Sequence, residues 1–383
     1  MVDVSGIQIQ LMLGPTVPVP APRKLVEALE RVEITHNDTG RSGFQLVFRV
    51  ERTDSPAMNL AQDVLLASPL LQVFTRVIVS VIIKAMPRVL IDGVVTHQQL
   101  QPGTGLAPSK LTLTGEDISL MLDREEKSVE HPAQPETIIA LKIIGSYAQY
   151  GLIPLVIPPL FIDPPIVTER TPVQQGTDLA YLKEMAGRHA YTFYVIPGPA
   201  PLTNTAYWGP KIRVGAPQPA LSINMGPLSN VESLDFEHNA LAPERVDGQI
   251  QDRRTNQAMP IMTFGSLRVP LASLPDWLIH GADSRVSQLR TTGLSVEQAL
   301  ARAQAQVERT NEEVLIARGE LDTLRYGDTL SPRTLIGLRG AGLLYDGLFY
   351  VKSVTHIIEG GGYRQRFALA REGLGTTIPV VVP

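Results

Sequence analysis

Cysteine is absent from the 383 residues, which removes disulfide frameworks, thiolate metal sites and thiol nucleophiles from consideration and lets the chain fold in a reducing cytosol. A charge excess is missing too. Lys and Arg number 34 against 38 Asp and Glu, a net charge of −4, and no basic run supplies the electrostatic footprint of a nucleic-acid binder, so no nucleic-acid contact is expected. Long uninterrupted apolar runs are also lacking. Residues 73–95 contain Arg76, Lys84, Pro87 and Arg88, and residues 138–162 contain Lys142 and prolines from Pro154 onward. Neither stretch offers the roughly 20 apolar residues of a membrane helix, and both read as core elements. The start, MVDVSGIQIQLMLG, has no basic opening and no apolar run of secretory length. Ile7, Ile9, Leu11 and Leu13 alternate with polar or flexible neighbours instead, which predicts a strand and no secretory signal.

Local catalytic signatures are equally scarce. The seven histidines, His36, His97, His131, His189, His238, His280 and His356, are isolated from one another in sequence, so the helical H-E-x-x-H pair of a zinc hydrolase is not formed and no metal is expected. His131 beside Glu130 and His280 near Asp283 are the only suggestive neighbours, and adjacent side chains do not face each other on a helix or strand. No G-x-S-x-G elbow and no G-x-x-x-x-G-K-[ST] loop occurs. Gly337, Gly340 and Gly342 are not spaced as G-x-G-x-x-G and read as turn or bulge glycines in a strand-rich context. The carboxylates of Asp123–Lys127 (DREEK) form a contiguous solvated run, whereas catalytic pairs flank a cleft. Tyr191, Phe193, Tyr194, Tyr207 and Trp208 alternate as core-filling aromatics on strands. No catalytic residue and no cofactor is assigned.

The length implies two or more packed units, since single domains usually hold about 100 to 200 residues. The residues from Val89 to Pro154 are the most organised. Val89, Ile91 and Gly93 alternate with Leu90, Asp92 and Val94. A Gly/Pro-rich loop follows, and then Leu111 and Leu113 alternate with Thr112 and Thr114 up to Gly115, which predicts a long-looped hairpin. Glu116 and Asp117 then open a short helical turn, where carboxylates suit the unpaired N–H groups. The β-branched run from Val77 to Ile83 predicts a strand buried on both faces. Helices are predicted at 136–150, with an apolar stripe including Ile138, Ile139, Leu141 and Ile143 and ended by Gly151; from an N-cap at Thr177, with Asp178 in its first turn; and at 295–311, where Ser295 and Gln298 form a capping box. Strands are predicted at 191–196, 211–214, 314–324 and 335–339, with a final hairpin, 349–358 and 363–370, around Glu359-Gly-Gly-Gly. Four prolines between Gly14 and Pro22 predict an extended spacer that sets the first strand apart as an arm. Residues 259–290 read as a loop-rich excursion.

This order resembles the first barrel of the baseplate hub of contractile phage tails, the late control protein D family. It is similar also to the N-terminal half of the type VI secretion spike and, most closely, to the hub of extracellular phage-tail-like contractile injection systems. The likeness resumes in GTDLAYLKEMAGRHAYTFYVIPGP (176–199) and AYWGP (206–210) and closes with YDGLFYVKSVTHII (345–358), covering most of the chain. The resemblance implies a β-rich α+β fold with two small hub-type β-barrel domains and inserted helices, three chains forming a pseudo-sixfold ring. It divides the chain into an N-terminal strand and Pro-rich arm (1–23), a first barrel (24–125 with 218–275), a second barrel (126–217 with 295–375) and a tail (376–383). Gly93, Gly115, Glu116, Asp117, Gly151, Gly176, Asp178 and Gly347 become the motif positions, with a structural role.

The implied function is that of a structural hub, not an enzyme, adapting a sixfold inner tube to a threefold spike and nucleating tube assembly. The implied partners are further copies of the chain in a homotrimer, a separate spike protein, the inner tube or its initiator, other baseplate components, and cargo in the lumen. A separate spike is expected because the chain stops at Pro383 without a fused spike domain. Assembly in the cytoplasm followed by residence in a virion-like or extracellular particle is expected. A tail-associated cell-wall glycan hydrolase and a small-molecule-binding β-barrel are the alternatives.

Overall fold

The computed structural model describes residues 2–4, 7–50, 68–104, 107–162, 165–252, 254–291 and 293–378. The expected tail therefore lies outside the described residues from Pro379 onward. Among the described residues no helix is long and apolar enough to cross a membrane.

The first part of the chain is built on alternation. Strands β1 (Val2–Val4) and β2 (Ile7–Gly14) are followed by β3 (Val19–Pro20), a short helix α1 (Arg23–Glu27), β4 (Leu29–Asn37), β5 (Gly43–Val50), β6 (Arg76–Ile83), β7 (Met86–Gln101) and β8 (Ser109–Asp117). In β2 the period of two buries Ile7, Ile9, Leu11 and Leu13. The expected arm does not form. β2 pairs along its whole length with β6, and the proline segment folds back so that β3 pairs with β2 and Ala21 N donates to Leu11 O. Four buried aliphatics on one face make the strand too apolar to stand apart from the core. The β-branched run of β6 is buried on both faces over nearly all its length, and the long hairpin β7–β8 forms as its sequence predicts.

A second group of elements packs beside this sheet: β9 (Glu126–Glu130), α2 (Glu136–Gly145), β10 (Leu152–Val156), β11 (Val173–Thr177), α3 (Asp178–Gly187), β12 (Tyr191–Pro197) and β13 (Asn204–Pro210). Thr177 caps α3, its hydroxyl accepting from Ala180 N. In α2 the buried stripe is Ile139, Ala140, Ile143 and Ile144, while Ile138 and Leu141 face outward. Ile139 and Ile143 lie in the stripe as predicted while Ile138 and Leu141 fall outside it, because a helix that is apolar on most sides leaves the choice of face to its neighbours. The strand predicted at 211–214 is displaced to 204–210, where β13 pairs with both β12 and β10.

The remainder comprises β14 (Gln218–Ser222), β15 (Val231–His238), β16 (Glu244–Gln251), β17 (Ala258–Met262), β18 (Leu274–Pro275), α4 (Asp276–Ile279), β19 (Arg285–Gln288), α5 (Val296–Asn311), β20 (Leu315–Asp322), α6 (Thr323–Tyr326), β21 (Leu335–Arg339), β22 (Gly347–Glu359), β23 (Gly362–Arg371) and β24 (Gly373–Leu374). The capping box of α5 is present, and Ala299, Ala303 and Val307 pack with Val246, Ile250 and Ile261 of β16 and β17.

Fourteen of the described strands share one large, mainly antiparallel sheet, ordered β1-β2-β6-β7-β8-β5-β4-β22-β23-β20-β15, with β3 on β2, β21 on β22 and β14 parallel to β21, while β16, β17 and β19 form a sheet of their own and β18 pairs with β24. The fold is thus β-rich with few helices, as expected. The pairing departs from the expected partition. β14 and β15 were expected with the first barrel, but they join β21 and β20 and share a core with β22 and β23. Residues 152–210, expected with 314–370, form their own three-stranded sheet β10-β13-β12 backed by α2 and α3. Hydrogen-bond register between distant segments is a tertiary property that no local period encodes.

At Gly115 an added Cβ would lie 2.2 Å from the Phe44 ring and 2.4 Å from Val94 O, whereas at Gly145, the last residue of α2, nothing lies within 4 Å. Gly115→Ala is expected to cost about 1–3 kcal/mol and Gly145→Ala to stabilise by about 0.5 kcal/mol, both read from urea unfolding midpoints.

Candidate functional site: a buried polar seam and two outer surfaces

What the tertiary structure assembles is a seam of buried polar side chains where the helical unit meets the large sheet. Arg76 begins the apolar run of β6 and Asp92 interrupts that of β7, and both are buried. Arg76 forks onto Asp92 through Nε–Oδ1 (2.8 Å) and Nη2–Oδ2 (2.6 Å). Its remaining donors reach Tyr150 O at 2.9 Å and Thr16 O at 3.0 Å, while Asn204 Nδ2 donates to Asp92 Oδ2 at 2.8 Å. One ion pair thereby ties together β6, β7, the turn after α2 and β13.

Arg333 closes the seam further along. It is fully buried with left-handed backbone (φ 64°), and it donates to Asn37 O (2.5 Å), Ser42 Oγ (3.2 Å) and Val195 O (3.4 Å) while lying 4.2 Å over the Tyr194 ring. Burial pushes its guanidinium down and the Tyr194 hydroxyl up.

Beside Arg333 two histidines isolated in sequence come together: His36 of β4 and His356 of β22, ring centroids 5.8 Å apart and edge-on. Tyr363 hydroxyl and His356 Nδ1 are 2.9 Å apart. Burial drives both imidazoles toward the neutral form. His356 falls to about 3, and His36 is lowered first by burial and then by the charges of His356 and Arg333.

The sequence-named positions fall mostly along this seam. Gly93 pairs with Asp117 across β7 and β8, and a Cβ on Gly93 would lie 2.3 Å from Glu116 O. Asp117 accepts from Ser42 N (2.7 Å) and Ser119 N (2.9 Å), capping the short turn that follows. Arg41 bridges Glu116 to Asp123, and Thr177 donates to Asp123 at 2.5 Å, so Glu116 connects to the start of α3. There Gly176 precedes Asp178, which accepts from Lys127 (2.6 Å), Tyr147 (2.7 Å) and Gln174 (2.7 Å). Burial by itself would raise the Asp178 carboxyl, but these donated bonds hold it below the ordinary range. Gly151 ends the helical turn with φ 77°, its α-carbon so close to Leu202 O that a Cβ would stand 2.0 Å away. Gly347 stands apart at the start of β22, against Thr376 and Arg371.

Sequence reasoning passed over Arg76, Asp92, Asn204 and Arg333. A charge inside a strand buried on both faces was the available signal, since such a charge requires a partner. The histidines meet other groups than their sequence neighbours suggest: His189 meets Glu136 (2.6 Å), His238 meets Asp276 (2.8 Å), and His131 stacks on Tyr181 (5.9 Å). Among the described residues no three His, Asp or Glu converge as metal ligands. The aromatics fill core: Phe193 and Trp208 are buried among α2 and α3, and Tyr194 stacks on Tyr207 at 4.9 Å.

Two outer surfaces complete the site. One face of the large sheet is polar from β4 through β22, β23 and β20 to the end strand β15, with cross-strand rows Asp235–Arg318–Ala368–Ser353–Asn37 and Ser233–Glu320–Arg366–Thr355–Thr35. Most of its charges are paired locally, Arg364 and Arg366 on Glu320, Arg318 on Glu237, and Arg31 on Glu33 and Glu359. The second surface is the outer strand β10, which pairs only with β13 yet exposes Ile153 (57 %) and Leu155 (47 %). Exposed aliphatics on an unpaired sheet edge are a feature of surfaces that another chain covers.

The fold so described is that of phage-tail proteins and their type VI secretion counterparts. A tail protein from Neisseria meningitidis superposes with a TM-score of 0.62 at 13 % identity, covering 97 % of this chain and 98 % of that one. The 43 kDa tail protein of prophage MuSo2 from Shewanella oneidensis gives 0.63 at 12 % identity, with 96 % and 98 % covered. An E. coli component of the type VI secretion system, itself structurally similar to T4 bacteriophage tail proteins gp27 and gp5, gives 0.54 at 11 % identity, with 93 % and 77 % covered. No family model matches the sequence, and no curated protein does.

Asp92→Ala strands the Arg76 charge in the seam and is expected to cost about 3–5 kcal/mol, measured by chemical denaturation. The histidine pair predicts acid sensitivity. Each ring titrates near 6.5 once unfolded but lower when folded, so the unfolded chain binds more protons below about pH 6.5 and stability falls as pH drops. Relative to His356→Gln, the wild type should lose about 1.4 kcal/mol of unfolding free energy per pH unit between pH 6 and 4, with no difference in slope above pH 7.

Proposed function

We propose that the chain is the structural baseplate hub of a contractile injection particle. Three copies form a ring in which each contributes two related small-barrel halves, so that a threefold assembly meets a sixfold inner tube on one side and a separate threefold spike on the other. The first half comprises 7–117, around the core of β2 and β4–β8. The second comprises 218–238 with 315–371, and the units at 126–210 and 244–311 are insertions. The role is mechanical: the ring nucleates tube polymerisation, holds the spike and travels with both on contraction. Gly93, Gly115, Glu116, Asp117, Gly151, Gly176, Asp178 and Gly347 then serve the shape of the ring and no reaction.

The observation that carries this reading is the large sheet. From β4 to β15 it carries a mostly charge-paired polar face, its end strands leave edges that can pair with further copies, and it lies within a fold shared over nearly full length with tail proteins. A polar face with its charges paired suits the wall of a channel through which cargo slides without adhering. A closed ring of identical subunits requires heterologous contacts, for which unpaired sheet edges are natural partners.

Native mass spectrometry of the purified chain is expected to give a species of three chains, and negative-stain images a threefold ring with a central channel. A chain that stays monomeric with spike and tube proteins present would overturn the assignment.

A further inference from the structure

Among the described residues Arg302 is a half-buried cation that faces other cations across a cleft. Arg302 projects from α5 into a cleft between that helix, the start of α2 and the residues after α3. The helix is rotationally fixed, because Ala299, Ala303 and Val307 pack on β16 and β17. Gln298, Ala301 and Arg302 therefore share the opposite side and line the cleft. The charged or titratable side chains facing it are Arg170, Arg188, His189, Glu136 and Glu297 besides Arg302 itself.

Both carboxylates are already engaged. Glu136 accepts from Arg188 and, at 2.6 Å, meets His189, and Glu297 reaches Arg254 at 3.8 Å. Among the described residues Arg302 has neither a hydrogen-bond acceptor nor an ion-pair partner. Burial lowers its guanidinium pKa, the charges of Arg188 and Arg170 add to that, and Glu136 and Glu184 offset it only in part. A half-buried guanidinium facing two others is a costly arrangement for a fold to keep unless something negative arrives.

We propose that this cleft binds a single oxyanion, the phosphate or carboxylate group of a ligand or docking partner, through the donor fork of Arg302 beside Arg188. Size and lining both suit this. The cavity of about 50 Å³ holds about four water-sized groups, enough for one oxyanion head and too little for a nucleotide. Pro159, Phe161, Pro165 and Pro172 form an apolar wall, so the planar donor fork of arginine dominates the recognition. The inference stands independently of the hub assignment.

Thermal unfolding of the full chain tests it, in inorganic phosphate and in acetate against chloride at matched ionic strength. Phosphate stabilises many proteins through exclusion, so the difference between wild type and Arg302→Gln is the readout. The wild type is expected to gain about 2 °C in Tm at tenfold excess over Kd in at least one of the two anions. The gain should vanish in Arg302→Gln and shrink in Arg302→Lys, which keeps the charge but loses the fork. Whichever anion gives the larger gain identifies a phosphate or a carboxylate as the natural group. In chloride alone Arg302→Gln should unfold at the same or a higher temperature, because repulsion from Arg188 and Arg170 is relieved. The proposal is overturned if neither anion shifts the wild type beyond Arg302→Gln, or if Arg302→Gln destabilises the chain in chloride, which would make Arg302 a structural residue.

Discussion

The hydroxyls of Thr35 and Thr355 lie 3.0 Å apart although 320 residues separate them in the chain. They mark the ladder between β4 and β22, the one strand pairing among the described residues that joins the first stretch of the large sheet to the last. Without it the sheet would divide into two pieces with extra raw edges, each inviting pairing with the wrong chain. The entropy of closing so long a loop grows only as the logarithm of its length, so the pairing is affordable once both cores exist. It remains non-local, which places it among the slow steps of folding.

The ladder brings polar groups into the interior as well as apolar ones. His36 and His356 sit within it, and Arg333 reaches from the loop before β21 to the carbonyls of Asn37 and Val195. Buried charges of this kind contribute little net stability compared with well-packed hydrocarbon. They do have directional requirements that aliphatic contacts lack. The Arg76–Asp92–Asn204 set is satisfied only when the helical unit docks at one position on the sheet, so the seam fixes how the parts sit as well as whether they touch.

Outside the seam the division of labour is by surface. One sheet face carries paired charges and threonines, the edge strand β10 carries exposed aliphatics, and the cleft beside α5 carries an unanswered cation. None of the three resembles a reaction centre, and each fits contact with another molecule. The fold that carries them is shared with tail proteins over almost its entire length.

The amino-acid sequence by itself determined the local elements. Period-two alternation marked β2 and β7–β8, the β-branched run marked β6, the capping box marked α5, Thr177 marked the start of α3, and the glycines after Glu359 marked the last hairpin. These follow from forces acting over a few residues, so a window of ten letters contains them. The tertiary structure alone decided that β2 belongs to the sheet and is no arm, that β14 and β15 join β21 and β20, which side of α2 is buried, and that Arg76, Asp92, Asn204 and Arg333 meet. Those outcomes depend on which of several apolar surfaces finds which partner and on where a buried charge finds its counter-charge, and both are set by contacts between residues tens to hundreds of positions apart.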